Sequence, residues 1–482
     1  MPIKRLKHSG GVRPATGIVH LGLGAFFRAF GCVYISDAMI ASGGGWGIIG
    51  VSLRRSDIRD ALQQQDWAYT SMSLDSDVPN LRVIEVLNNV LFAPENPQLV
   101  VDAMADPSVK IVTLTVTEKG YCHIPASGTL NLDHPDIHHD LSNNMPTSAV
   151  GYIVRALQAR RVKGLAPFTV LTCDNLPNNG HLVRNLVLEF ACLLDLDLAD
   201  WIKVNCCFPC TMVDRITPAT TSMEIAHLEK LSGYHDAAPV LHERFSQWAI
   251  EDDFVDGQRP DFAAAGAELV TNVKAHEDMK LRMLNGVHSA LAYTGYLAGH
   301  MTISETLDDP IFAAFARGLW CEIIPTVHAP VGVNLTDYGH DLLVRFANPS
   351  IRHLTWQIAM DGSQKLPQRM LCTLRDTIEA NRPSPMLCLA VAAWMRYVGG
   401  RDENGIVIDV KDPMSKTLFD LSAASQSPAE TVEALLNLRE IFPADLSLAL
   451  LQPVSQAAEV LWAHGSRAAV LRAVNTLQKV VA

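Results

Sequence analysis

The sequence predicts an α/β N-terminal domain, residues 1–278, followed by a mainly α-helical C-terminal domain, residues 279–482, and three observations carry that expectation. Short β-branched runs alternate with helical stretches through the first part, as in a parallel sheet covered by helices. From Met279 onward the strong periodicities are all helical. The first β-branched run feeds a glycine pair, Gly22-x-Gly24, just ahead of a helical stretch. In a βαβ unit the first glycine makes the tight turn, the second lets the backbone approach a pyrophosphate, and the helix N-terminus favours negative charge. The N-terminal domain is therefore read as Rossmann-like.

The elements justify this in order. Gly17 to Leu23, with Ile18 and Val19, reads as a buried strand. Phe27 stands where a third glycine would come, so the fingerprint is incomplete. Arg28 either reaches a cofactor phosphate or is a solvated first-turn arginine. Trp46 to Leu53 is a second strand, followed by Arg54, Arg55, Ser56 and Asp57. An acidic residue there accepts hydrogen bonds from the adenosine ribose and repels a 2′-phosphate, so NAD is the expected cofactor. The flanking Arg54 and Arg55 leave room for NADP tolerance. Leu81 to Val86 and Lys110 to Thr117 supply further strands, and His123 to His139 reads as an exposed loop rather than a metal site. Tyr152 to Lys163 is helical. Phe168 to Cys173 is a strand that delivers Asp174 and Asn175. Asn175 either offers an amide N–H to a substrate oxygen or forms an ordinary Asx turn. In the second half Ser289 to Leu297, Pro310 to Ile324, Pro385 to Tyr397, Ala429 to Arg439 and Val454 to Val480 read as helices.

The bulk properties bound the function. A chain of 482 residues with 48% hydrophobic and 19% charged residues fits a soluble globular protein with a large core. A net charge of −12 argues against a nucleic-acid or anionic-membrane surface, where a basic patch is expected. No run of roughly 18 apolar residues suggests a membrane span, and no signal peptide is expected. Ten scattered cysteines fit reduced thiols in a cytoplasmic enzyme. Cys207-x-x-Cys210 lacks a second ligand pair and reads as inert thiols rather than zinc or a redox pair. No metal is expected, and a monomer or small homo-oligomer is.

The stretch Glu277 to Ser289 carries the most chemistry, with Lys280, Asn285 and His288 at spacings of five and three residues. At about 100° per residue, Asn285 lies about 140° and His288 about 80° round an α-helix from Lys280, so all three can share one side. A desolvated lysine works as a general base, and an amide with an imidazole holds an oxygen that becomes alkoxide or carbonyl. The alternative is a surface lysine, a helix-terminal asparagine and a satisfied core histidine.

Lys280-x4-Asn285-x2-His288 resembles the signature of the polyol-specific long-chain dehydrogenases, the mannitol dehydrogenase family. So do His20 to Phe26, Thr115 to Cys122, Cys173 to Pro177, Met212 to Pro218 and Asp361 to Lys365, in the same order and across most of the chain. The resemblance implies metal-independent, NAD-dependent interconversion of a secondary alcohol and a ketone. It implies Lys280 as base, Asn175 and Asn285 as oxygen ligands, and His288 as the residue that positions substrate or lysine. It further implies Glu277 in proton exchange, Asp214 and Lys365 as substrate ligands, and Gly22, Gly24, Arg28 and Asp57 at the cofactor. An Asp–Arg structural pair is the other reading of Asp214. The family usually has histidines where Phe27 and Phe30 stand, so cofactor contacts are expected to differ here.

Three segments, Phe208 to Asp214, Lys280 to Asn285 and Trp356 to Arg369, look more like the family's fructuronate reductases (D-mannonate oxidoreductases). Mannitol enzymes carry an arginine where Gln357 stands. The expected substrate pair is D-mannonate/D-fructuronate, with D-mannitol/D-fructose as the alternative and a non-catalytic sugar-binding protein as the distant one. A uronate needs a cation for its carboxylate, and Arg282, Arg352 and Arg369 are the candidates. Arg282 lies about 200° from Lys280 on an α-helix and points away; Arg369 joins Asp214 and Lys365 as an expected substrate-binding residue.

Overall fold

A computed structural model describes residues 3–74, 79–125 and 127–481, with side chains described as far as Thr476. The chain forms two compact units, residues 1–274 and 275–482.

The first unit is built on five parallel strands: β1 Thr16–Leu21, β2 Gly47–Ser52, β3 Leu87–Phe92, β4 Ile111–Leu114 and β5 Thr169–Thr172. Their order is β5-β4-β1-β2-β3, which places β1 at the centre. Val19 lies level with Val112 on one side and Ile49 on the other. Side chains alternate across a strand, and both faces are covered. Val19, Leu21, Val112 and Leu114 enter one core with helices α3 Ala149–Val162 and α4 Asn179–Leu194. Ile18, Ile48, Ile111 and Leu171 enter the opposite core with Phe27, Phe30 and Trp248. Burial on both faces is why these strands read as nearly continuous apolar runs.

On that second face lie α1 Ala25–Ala29 and α2 Gly31–Ser42. Together, Ala25–Ser42 is long and apolar enough to pass for a membrane span by length and composition, although half of it is buried inside this unit. Phe30 and Tyr34 pack on Trp248 with ring centroids 5.2 and 5.3 Å apart.

The turn after β1 is fixed by a short polar chain. The buried His20 ring lies 2.8 Å from Thr113 Oγ1 through Nδ1 and 3.0 Å from Thr115 Oγ1 through Nε2. Thr115 Oγ1 donates to the Gly22 carbonyl at 2.9 Å. A hydroxyl has one proton, so Thr115 accepts from His20, which places the imidazole proton on Nε2. Burial lowers the His20 pKa to about 3, so the ring stays neutral. Gly22 has φ +90, and a Cβ there would lie 2.3 Å from the Thr115 carbonyl oxygen. Phe27 fills the space beside this turn, stacked on His20 with centroids 3.4 Å apart.

Several elements differ from the sequence reading. Leu81 to Val86 is not part of the main sheet. Asn80–Ile84 pairs with Tyr69–Ser73, which also pairs with Val240–His242, while β3 begins at Leu87. One apolar stretch thus serves two sheets, and periodicity alone does not mark the division. The segment His123 to His139 is not a plain loop. It holds the hairpin His123–Ile124 with Thr129–Leu130, and the helix Pro135–Ser142 begins within it. Pro135 sits at the start of that helix, where its missing N–H costs nothing. A further sheet, β6 Thr211–Asp214, β7 Gln247–Glu251 and β8 Glu268–Val270, lay outside the strands expected.

The second unit is helical. Its centre is α5 Val287–Leu297, buried on nearly every side, beside α6 Pro310–Ile323 and α7 Pro385–Val398. The expected last helix is two, α8 Ala444–His464 and α9 Ser466–Val481, divided at Gly465, whose φ is +80. Two short stretches wind as π-turns, Lys280–Gly286 and Pro367–Leu371.

Gly22→Ala and Gly10→Ala separate steric from conformational cost. Both glycines have positive φ, but a Cβ at Gly10 meets nothing within 4 Å. Urea unfolding is expected to show a loss of about 1 kcal/mol for Gly10→Ala and clearly more for Gly22→Ala. Equal losses would mean that the Thr115 contact relaxes freely.

Candidate active site

In the first unit the carboxyl ends of β1, β2 and β4 open onto one cleft of about 480 Å³. Gly22 and Gly24 form its floor, Thr115 to Thr117 one wall, and Arg54, Arg55 and Asp57 its far rim. This is the place where the strand order reverses, at which doubly wound sheets bind ligands. Above Gly24 the space is open, the nearest atom to a Cβ being the Gly22 carbonyl oxygen at 3.8 Å. The cradle thus fits a pyrophosphate. Asp57 begins a helix and pairs with Arg55, while Arg54 pairs with Asp136. Both rim arginines therefore already face a carboxylate.

Arg28 is not in this cleft. It is 3% exposed, and its guanidinium donates to the carbonyl oxygens of Gly24 and Ala238 over the Tyr69 ring. With its donors turned into the fold, it supports the turn rather than a phosphate. That corrects the expectation from sequence.

Asn175 sits just past β5 and is exposed, and Asp214 ends β6 and is buried. Between them in role is a residue the sequence reading passed over. The Asp174 carboxylate accepts from the backbone N–H of Val116 at 2.9 Å and Thr117 at 3.2 Å, and from the Tyr121 hydroxyl at 2.8 Å. Burial raises its pKa, while these three donors oppose the rise. Thr117 is left-handed, φ +63, which is strained for a β-branched residue. Asp174 therefore ties the strained wall of the cleft to the strand end that carries Asn175. Its place beside Asn175 was the available signal.

In the second unit Lys280 opens a π-turn, whose backbone bonds run i→i+5. The α-helical spacing put Asn285 about 140° away; the wider winding brings it closer to the Lys280 face. Lys280 is 6% exposed, Glu277 one turn earlier 5%, and Asn285 half-buried. His288 follows at the start of α5. Its ring stacks on Phe346 at 4.7 Å and meets His353 at 4.7 Å. Burial, then His353, then Arg369, Arg345 and Lys365 hold its pKa well below the usual range. The ring is neutral, and its buried Nε2 has no hydrogen-bond partner among the described residues. Phe346 and His353 carried no sequence signal for this role.

The second π-turn supplies the remaining cation. A Cβ on Gly286 would lie 2.6 Å from the Arg369 carbonyl oxygen, so the two π-turns touch backbone to backbone. Arg369 donates to Ser289 Oγ at 2.9 Å, and Lys365 to the Met360 carbonyl at 2.6 Å. Arg282 points elsewhere, to Thr326 and Asp376, and Arg352 is exposed. The unit thus brings His288 together with Lys365 and Arg369, and the turn that holds Lys280 and Asn285 touches the turn that holds Arg369.

Comparison with known proteins places the chain. Residues 16–263 match the mannitol dehydrogenase Rossmann domain and residues 272–462 the mannitol dehydrogenase C-terminal domain. The chain is 46% identical over 436 residues to the D-mannonate oxidoreductase of Escherichia coli (strain K12), covering 89% of each. It is 45% identical over 464 residues to the uncharacterized oxidoreductase YdfI of the same organism, covering 95% of each. The structure of Pseudomonas fluorescens mannitol 2-dehydrogenase in ternary complex with NAD and D-mannitol aligns with a TM-score of 0.87 and 36% identity, covering 99% of this chain and 97% of that one. The chain belongs to the mannitol dehydrogenase family and is an oxidoreductase acting on CH–OH groups.

Proposed function

We propose that the protein interconverts D-mannonate and D-fructuronate with NAD, and that D-mannitol/D-fructose is the second substrate pair to test. The observation that carries the uronate choice is the set of buried or half-buried cations in the second unit that act on His288. A linear polyol offers such a set no negative charge, and a sugar acid does. The D-mannonate oxidoreductase among the relatives supports the same choice.

Lys280 removes the hydroxyl proton in oxidation and returns it in reduction. Buried lysines are the kind that serve this way. Asn285 and Asn175 supply amide N–H groups to the reacting oxygen, where charge develops. His288, held neutral, lends Nε2 to position substrate or lysine. Glu277, one helical turn before Lys280, exchanges protons with solvent. Asp214 binds a substrate hydroxyl, and Lys365 contacts the substrate chain. Gly22 and Gly24 hold the cofactor pyrophosphate, and Asp57 selects against a 2′-phosphate. The chemistry that a nicotinamide cofactor held there would supply is hydride exchange with the alcohol carbon. The scattered placement of ten cysteines, without framework spacing, supports a reducing compartment, the cytoplasm.

Initial rates with NADH and fructuronate, set against NADH and fructose after EDTA treatment, test this directly. A preference for fructuronate of more than about tenfold in kcat/KM, about 1.4 kcal/mol, is expected. Rates lost with EDTA and restored by a divalent metal would replace the lysine mechanism with a metal-dependent one. Lys280→Ala is expected to lower kcat by about 10²–10⁴-fold; near-normal turnover would end its assignment as base. Asp57→Ser removes the carboxylate and frees Arg55, and should shift the NADPH-to-NADH ratio of kcat/KM upward by about tenfold. An unchanged ratio would move cofactor selection elsewhere on the rim.

A further inference from the structure

We infer that Arg369 is the carboxylate anchor of the substrate site. The inference deepens the sugar-acid reading above and rests on it.

Three other withdrawn arginines are well occupied. Arg160 donates to the carbonyl oxygens of Met104, Asp106, Val109 and Ala166. Arg28 has two carbonyls, and Arg282 has Thr326 together with the Asp376 carboxylate. Arg369 has one bond, to the neutral hydroxyl of Ser289, and no carboxylate among the described residues. A guanidinium has five N–H donors in a planar fork, so most of its capacity is unused. Withdrawing a cation from water without an anion is unfavourable, and a bidentate carboxylate is the partner whose shape and charge correct it.

Its placement is rigid at both ends. The backbone is pressed against Gly286, in the turn that carries Lys280 and Asn285. The guanidinium is held by Ser289, the residue after His288. Arg369 therefore stands beside the group proposed to position the reacting alcohol. Burial also lowers its pKa to about 10, a sign of a desolvated charge that is still fully protonated at neutral pH. A substrate with a hydroxymethyl group in place of the carboxylate leaves this cation uncompensated, so the same residue rewards the acid and penalises the polyol.

The test compares wild type, R369Q and R369K, each with NADH, on D-fructuronate and D-fructose, with melting temperatures to confirm folding. R369Q is expected to lower the fructuronate-to-fructose ratio of kcat/KM by about 30-fold or more, chiefly through the KM for fructuronate. R369K keeps the charge without the fork and should recover part of that ratio. Binding of D-mannonate to the NADH-loaded enzyme, followed by calorimetry, should weaken in the same order. Equal losses on both substrates would make Arg369 a packing residue, and an unchanged ratio in a folded R369Q would remove it as anchor; either overturns the inference while leaving the sugar-acid reading in place. A wild-type enzyme that prefers fructose overturns the sugar-acid reading itself, and the anchor with it.

Discussion

Two backbone segments that cannot be separated by even one methyl group determine what the second unit can do. The Arg369 carbonyl lies against the bare Cα of Gly286, and each belongs to a π-turn. One turn brings Lys280 and Asn285, and the other follows Lys365 and carries Arg369. The apolar residues between, Met283, Leu284, Leu366, Met370 and Leu371, are buried in the helical core. Apolar packing around the two turns thus helps set where their polar groups stand. π-Turns are uncommon and sit at functional sites often enough to be informative. Here the wider winding turns consecutive residues toward a face that an α-helix would have divided.

Burial is used to opposite ends in the two units. His20 is neutral because it is enclosed, and both ring nitrogens then serve the turn at Gly22. His288 is neutral for the same first reason, reinforced by cations, yet its Nε2 has no hydrogen-bond partner among the described residues. The fold satisfies the first imidazole completely and leaves the second with a bond to make. Asp174 shows the same economy on the cleft wall, where one carboxylate engages two backbone amides and a hydroxyl and holds Thr117 left-handed.

Much of this was legible in the sequence, for identifiable reasons. Strands buried on both faces read as apolar β-branched runs, so β1, β2, β4 and β5 were visible. The glycine pair announced the turn because only glycine tolerates the Thr115 carbonyl so near. What escaped was set by long-range packing. The split of Leu81 to Phe92 between two sheets, the sheet of β6, β7 and β8, and the helix at Pro135 have no periodicity long enough to declare themselves. The π-turns escaped because a heptad-like reading presumes α-helical winding. Arg28 misled because an arginine one turn into a phosphate-type helix invites a ligand, whereas the chain turns it inward to carbonyls. The arginines could not be ranked from sequence since their partners, Asp376 for Arg282 and Ser289 for Arg369, lie about 80 residues or more away.

The apolar helices Ala25–Ser42 have a consequence for how the chain is made. Their covering residue Trp248 follows Phe30 by more than 200 positions. At about 5–20 residues per second, a ribosome takes roughly ten seconds or more to supply it. Until then Phe30 and Tyr34 lack the indole they pack on in the finished fold. The nascent protein therefore has an interval in which this apolar segment lacks one of its native partners. Slowing translation beyond Ser42 should lengthen that interval without altering the finished fold.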